Sequence, residues 1–357
     1  MPSEHPWQSG SDRRTFLIGA ATAAAVALPA ATSLLAGAAP AFAETDLPDY
    51  APVPAGARGP VLNSAGYYVE QIKNNLYWVT DTSQYVAAFL TTRDGVVLLD
   101  APPGIGHNIQ RAIDEVTSIN GMTNTVTHLV YSHFHADHIG ASAIFGKDVV
   151  RVGHVATRER LRREADPARP LPDITFEKRH RLHVGGERID LAFHGASHTA
   201  DTIYIHLPDH DTLMLVDVVI PAWVPFASMN VSEDIAGFID AHSTALSYRF
   251  SHFIGGHIKL GQRQNITLQQ QYIDDMTASA IQAINTVDRT PFIQKYPDNG
   301  WAFTKTYFDA LVAATAAPVV TKYTGVLAGA DVYTDSSAFV LLESIRLGSG
   351  YGSVVRP

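Results

Sequence analysis

Not one cysteine occurs among the 357 residues. That absence excludes disulfides, thiolate ligands and a lipid-modified N-terminal cysteine, so stability must come from packing and any bound metal. Basic runs are scarce as well. The formal charge is −9, and the one arginine-rich stretch, Arg158 to Arg163, is interrupted by Glu159 and reads as a solvated helix face. A chain of this charge is poorly suited to gripping a phosphate backbone, so nucleic acid is excluded as a partner. After residue 43 there is no internal repeat and no low-complexity segment.

What is present is a dense cluster of metal-ligating side chains, Tyr131-Ser132-His133-Phe134-His135-Ala136-Asp137-His138-Ile139-Gly140. Val126 to Tyr131 reads as a buried strand, and Gly140 with the small residues after it opens a helix. The cluster therefore sits at a strand's C-terminal end, where ligand pockets of layered α/β folds lie. His133 and His135, two apart in extended backbone, point to one side, while Asp137 and His138 fall in the turn and can aim at a second ion. Imidazole and carboxylate together suit zinc, iron, manganese or cobalt, and the mixture does not choose among them.

The His133-x-His135-x-Asp137-His138 motif resembles the signature of the metallo-β-lactamase-fold superfamily and matches it at every fixed position. Further segments extend the resemblance in the family's order. His198 lies between the strand Arg188 to Phe193 and the strand Ile203 to Leu207; Asp217 ends the apolar run Leu213 to Val216; His257 follows a short apolar strand. The resemblance covers roughly Tyr67 to Leu260. It implies one divalent ion on His133, His135 and His198, a second on Asp137, His138 and His257, and Asp217 bridging them, with zinc the first expectation. Such a pair, about 3.5–4 Å apart, supplies a hydroxide nucleophile near neutral pH, and Asp137 would be ligand, orienter and proton carrier together. Asp100, closing the apolar strand Gly95 to Leu99, is expected behind a metal-bound histidine or its loop, and His194 is a second candidate for such support. His206 and His210 are read as solvated, and His154, His242 and His252 carry no ligand spacing. Trp223 and Phe226 are expected to form an apolar wall for a substrate.

Residues 1–43 read as an address. Arg13-Arg14 precede an alanine-rich apolar stretch, and Ala41-Phe42-Ala43 gives a small-x-small cleavage pattern, which together resemble a twin-arginine export signal. The expectation is a periplasmic or secreted protein, carried by the twin-arginine machinery and left without a stable membrane anchor. Residues 44–66 read as an extended leader. Residues 67–262 open with a meander of strands, Tyr67 to Ile72, Leu76 to Thr80, Tyr85 to Thr91 and Val96 to Asp100, followed by the helix Asn108 to Ile119. A second set begins at Val149, and two similar halves of strands and helices indicate an α/β fold of αββα type. Residues 263–357 read as a mainly helical extension, with helices at Asn265 to Val287 and Trp301 to Ala316, either capping the site or joining subunits of a homo-oligomer. Val319 to Pro357 shows no clear pattern.

Within the family the residues also discriminate substrates. True metallo-β-lactamases share a His-Thr-x-Asp pattern like that at His198 to Asp201, but mostly carry cysteine or serine where this chain has Asp217, and no lysine follows within Val218 to Phe226 to bind an antibiotic's carboxylate. An aspartate at the bridge resembles glyoxalase II and the quorum-quenching lactonases, and glyoxalase II acts on a cytosolic glutathione thioester. The expected activity is hydrolysis of a small ester, lactone or amide, lactone first. A β-lactamase is the alternative within the fold, and a di-iron oxidoreductase is the alternative of another class, although those proteins usually carry glutamate in place of His135.

Overall fold

The computed structural model describes residues 47–348, so the export signal expected at 1–43 lies outside the described residues. Seven strands form the first sheet in sequential order: β1 (Tyr67–Lys73), β2 (Leu76–Asp81), β3 (Val86–Thr92), β4 (Gly95–Leu99), β5 (Val126–Val130), β6 (Val150–His154) and β7 (Ile174–Phe176). The first four pair antiparallel, as the turn residues between them predict, and β4 to β7 pair parallel. Parallel neighbours need crossover helices. α1 (Asn108–Asn120) makes the first such crossing, and α2 (Ala136–Ile139) and α3 (Val155–Glu164) follow β5 and β6.

The second sheet has the order β13 (Leu260–Gly261), β12 (His252–Ile254), β11 (Thr212–Met214), β10 (Tyr204–Leu207), β9 (Glu187–Ala192), β8 (Arg179–Val184). Period-2 alternation packs the two sheets together. In β4, Val97 and Leu99 join Leu191, Ile205 and Met214 between the sheets, while Val96 and Leu98 face outward onto Ile109 and Ile113 of α1. Each such fully buried aliphatic side chain contributes about 1.5–3 kcal/mol. The outer face of the second sheet, with Tyr204, Leu213 and Phe253, is covered by α5 (Ile235–Ser247), α6 (Arg263–Thr286), α8 (Gly300–Tyr323) and α9 (Ala330–Gly348), while the short α7 (Thr290–Lys295) packs on α8. Helices on both faces of two packed sheets make the αββα sandwich that the sequence predicts.

Several elements depart from expectation. α8 runs on past residue 316 through Pro318, and α9 occupies the stretch without a clear pattern. The strand expected over Leu213 to Asp217 ends at Met214, because Asp217 turns into left-handed backbone at φ 61°. His210 is buried, not solvated; its Nδ1 meets the Lys73 carbonyl and its Nε2 lies 2.8 Å from the Glu187 carboxylate. No helix among the described residues is long and apolar enough to cross a membrane.

Candidate metal centre

Five strand ends and loops deliver the cluster. His133 and His135 leave β5 in extended backbone, and His138 lies in α2, one turn later. His198 comes from the loop between β9 and β10, Asp217 follows β11, and His257 follows β12. The ligand atoms of His133, His135, His198 and Asp217 lie within 4.8 Å of one another, as do those of His138, Asp217 and His257. Asp217 belongs to both groups. Its Oδ2 is 3.0 Å from Nε2 of His138 and 3.3 Å from Nε2 of His198, and its Oδ1 is 2.8 Å from Nε2 of His257.

The chemistry of these donors fits divalent ions. Nε2 of His133, both ring nitrogens of His138, Nδ1 of His198 and Oδ1 of Asp217 are buried without a directed hydrogen bond. Leaving buried polar atoms unpaired is costly, and three of these, Nε2 of His133, Nε2 of His138 and Oδ1 of Asp217, face one another across the cluster, which indicates a group that binds them. Burial, reinforced by the neighbouring imidazoles, holds His133 well below its ordinary range, and burial takes His198 down to about 4. Both are thus neutral ligands at pH 7. Burial would also lower His138, but the Asp217 carboxylate outweighs it and lifts that ring to about 9; burial would raise Asp217, and His138 and His257 outweigh it and hold it well below the usual carboxylate range. A divalent ion held here would take the place of the His138 proton.

Asp100 is fully buried. Its Oδ1 accepts from the Ser132 amide at 2.8 Å, and Ser132 Oγ lies 3.0 Å from Nδ1 of His133, so the carboxylate fixes the loop that aims that ring. Burial raises Asp100 to about 6 against the pull of His138. Asp137 is different. Its side chain is 48% exposed, faces the cavity and accepts from the Tyr85 hydroxyl at 3.2 Å. Burial and the Asp137 charge push Tyr85 up to about 12, so it remains a phenol donor at neutral pH. His194 is a correction: it is exposed and its Nε2 lies 2.7 Å from the Tyr248 hydroxyl, in a surface pocket with Arg179, His180 and His206. Gly195 follows at φ 116°, and none of the ligand-group residues lines the pocket that holds His194.

Gly256 lets the last histidine approach. A Cβ on Gly256 would stand 2.6 Å from Val216 Cγ1 and 3.1 Å from His138 Cε1, and φ there is 88°. Backbone strain also gathers here. Asp100, Asp217, Ala222 and Ile258 all have φ of 60–68°, and in α4 (Ala227–Val231) Ser228, Met229, Asn230 and Val231 form a consecutive left-handed turn with φ of 54–61°. Non-glycine residues in that conformation cost about 1–2 kcal/mol each, so the turn alone stores about 4–8 kcal/mol.

Above the ligands lies a cavity of about 670 Å³. Trp223 and Phe226 line it with Ile220, Val224 and Val231, and Tyr333 reaches in from α9. The helical extension therefore forms part of the wall. Among the described residues no lysine or arginine lines the cavity. Tyr85, Asn230 and Tyr333 were not legible as site residues, since each arrives through contacts distant in sequence.

The metallo-beta-lactamase superfamily profile matches residues 80–222. A curated relative, "Metallo-beta-lactamase type 2" of Elizabethkingia meningoseptica, is 25% identical over 153 residues, which is 41% of this chain and 59% of that protein. The chain thus spans about three fifths of that relative's length. A second, "2,4-dinitroanisole O-demethylase subunit alpha" of Nocardioides sp. strain JS1661, is 21% identical over 236 residues, covering 64% of this chain and 69% of that protein. Among solved structures, a metallo-beta-lactamase from Pontibacter korlensis superposes with a TM-score of 0.48 at 18% identity, over 57% of this chain and 97% of that one. Residues 80–222, which carry every proposed ligand except His257, are a metallo-β-lactamase superfamily domain.

Proposed function

We propose that the protein is a metal-dependent hydrolase acting on the carbonyl of a small, uncharged ester, lactone or amide, with lactones the first class to test. The observation that carries this reading is the floor and walls of one cavity: five histidines and Asp217 converge below, and apolar and aromatic side chains without a cation stand above. Two divalent ions, one held by His133, His135 and His198 and the other by His138 and His257, sharing Asp217, would supply a hydroxide and polarise the carbonyl, with the Asp137 carboxylate 3.7 Å from His138 Nε2 beside the second. Asp137, half-exposed and bonded to Tyr85, is placed to take a proton from the attacking group and return it to the leaving group. Ile220, Val224 and Phe226 exclude water from that step.

The lining lacks the lysine or arginine that an antibiotic's carboxylate would call for, which sets β-lactams below neutral lactones. A second substrate class, an activated aryl methyl ether, is favoured by the aromatic wall of Trp223, Phe226 and Tyr333 together with the relative named as a dinitroanisole demethylase. The test is a turnover screen of zinc-loaded protein against lactones, aryl esters, β-lactams and nitroanisoles, with oxygen uptake followed in parallel. Lactone or ester turnover without oxygen uptake supports the reading. Turnover confined to nitroanisoles or β-lactams, or coupled to oxygen, would overturn it. We further propose that the twin-arginine segment at 1–43 exports the protein, which would meet its substrate outside the cytoplasm.

A further inference from the structure

The left-handed turn of α4 joins three things that are far apart in sequence: the carboxylate shared by both ligand groups, the cavity wall and the helical extension. The side-chain amide of Asn230 is buried and bonded at both its oxygen and its nitrogen. Its Oδ1 accepts from the Phe226 amide at 2.5 Å, and its Nδ2 donates to the Asp217 carbonyl at 2.8 Å. Asn230 makes both contacts from left-handed backbone at φ 61°, with its own amide bonded to the Phe226 carbonyl at 2.8 Å. From the other side α9 holds the turn open. Ser336 Oγ accepts from the Ser228 amide at 3.1 Å and Ser337 Oγ from the Met229 amide at 3.3 Å. These two amides point away from the turn and would otherwise be unpaired in a largely buried place.

The next carbonyl is held in the same manner. Gln269 of α6, buried, donates its Nε2 to the Val218 carbonyl at 2.7 Å. Asp217, in left-handed backbone, and Val218 next to it thus receive one buried side-chain amide each at their carbonyls, both from segments beyond residue 222. We propose that Asn230 is a positioning residue for the metal centre: through the Asp217 carbonyl it fixes the left-handed backbone that presents the Asp217 carboxylate to both ligand groups, and Ser336 and Ser337 of the helical extension hold it in place. The strain in the turn is then part of the site's construction, since a relaxed right-handed turn would carry the amide away from Asp217. Helix α9 acquires a role in metal binding although it contributes no ligand.

Asn230→Gly separates the amide from the backbone, because glycine adopts positive φ without cost and the variant is expected to fold. Zinc affinity is measured by chelator competition on wild type, Asn230→Gly and the Ser336→Ala/Ser337→Ala double variant, with the thermal midpoint of each metal-free protein and the cobalt(II) absorption spectrum as independent readouts. The expected result is a loss of about 10–100-fold in affinity for at least one zinc in Asn230→Gly, with an altered cobalt spectrum and a metal-free protein that still unfolds cooperatively, its midpoint lowered by the two lost hydrogen bonds but the fold retained. The serine pair should weaken zinc in the same direction. Wild-type affinity and spectrum in Asn230→Gly would overturn the proposal, and so would an affinity loss matched by collapse of the metal-free fold. The inference rests on the cluster binding metal and on no particular substrate; failure of wild type to bind zinc would instead defeat the metal reading itself.

Discussion

Acid should loosen this protein through His242, a ring that touches no ligand of the metal centre. His242 is fully buried, with Nδ1 3.0 Å from the Phe238 carbonyl and Nε2 3.0 Å from Nε2 of Gln269, the same amide that holds the Val218 carbonyl. That pattern is satisfied only when Nδ1 carries the proton and Nε2 accepts; a second proton would set two donors against each other. Burial accordingly lowers the ring from 6.5 to about 4. Because the folded value lies below the unfolded one, the unfolded chain binds the proton first, and stability falls as pH drops from about 6.5 towards 4. At about 1.36 kcal/mol per unit, the stabilisation lost by pH ~4.5 is about 2.5 kcal/mol. The comparison is between wild type and His242→Gln, both stripped of metal, with thermal midpoints taken from pH 7.5 to 4.5 so that titrations common to the two cancel. Wild type should lose several degrees more than the variant over that interval. Parallel pH profiles would show that His242 is not held neutral by its surroundings.

Two shorter expectations concern the wall and the address. Tyr333→Ala should raise KM about fivefold for substrates bearing a flat apolar group, the equivalent of ~1 kcal/mol of lost aromatic contact, and leave small lactones and kcat unchanged; an equal loss for both classes would remove α9 from substrate recognition. Replacing Arg13 and Arg14 by lysine should leave uncleaved precursor in the cytoplasm on fractionation, and normal export would contradict the twin-arginine reading.

The fold was legible where local pattern and tertiary outcome agree. Val96 to Leu99 alternate between two buried faces, and Ile109, Ala112, Ile113 and Val116 mark one face of α1 at helical spacing. The ligand loop was legible because β5 and α2 hold His133, His135, Asp137 and His138 within six positions. α5 could have been found, since Phe238, Ala241, His242 and Ala245 are spaced for one helix face and Asp234 caps its start through the Gly237 amide. β8 was hidden by its composition: Arg179, Arg181 and His183 alternate with only Leu182 and Val184 inside. α9 was hidden because it buries Thr334 and Ser337 beside alanine and leucine, spending hydroxyls on neighbours instead of showing an apolar stripe. Asn230 and Gln269 could not be read at all, because their meaning lies in the carbonyls of Asp217 and Val218 that they reach.

The account stands most directly on metal content. Zinc titration of chelator-stripped protein, followed by elemental analysis after desalting, should give two ions per chain for wild type. His135→Ala, which removes a ligand from only the group containing His133 and His198, should keep one. A single ion per chain in fully loaded wild type, or two retained by His135→Ala, would contradict the arrangement of ligands described for this centre.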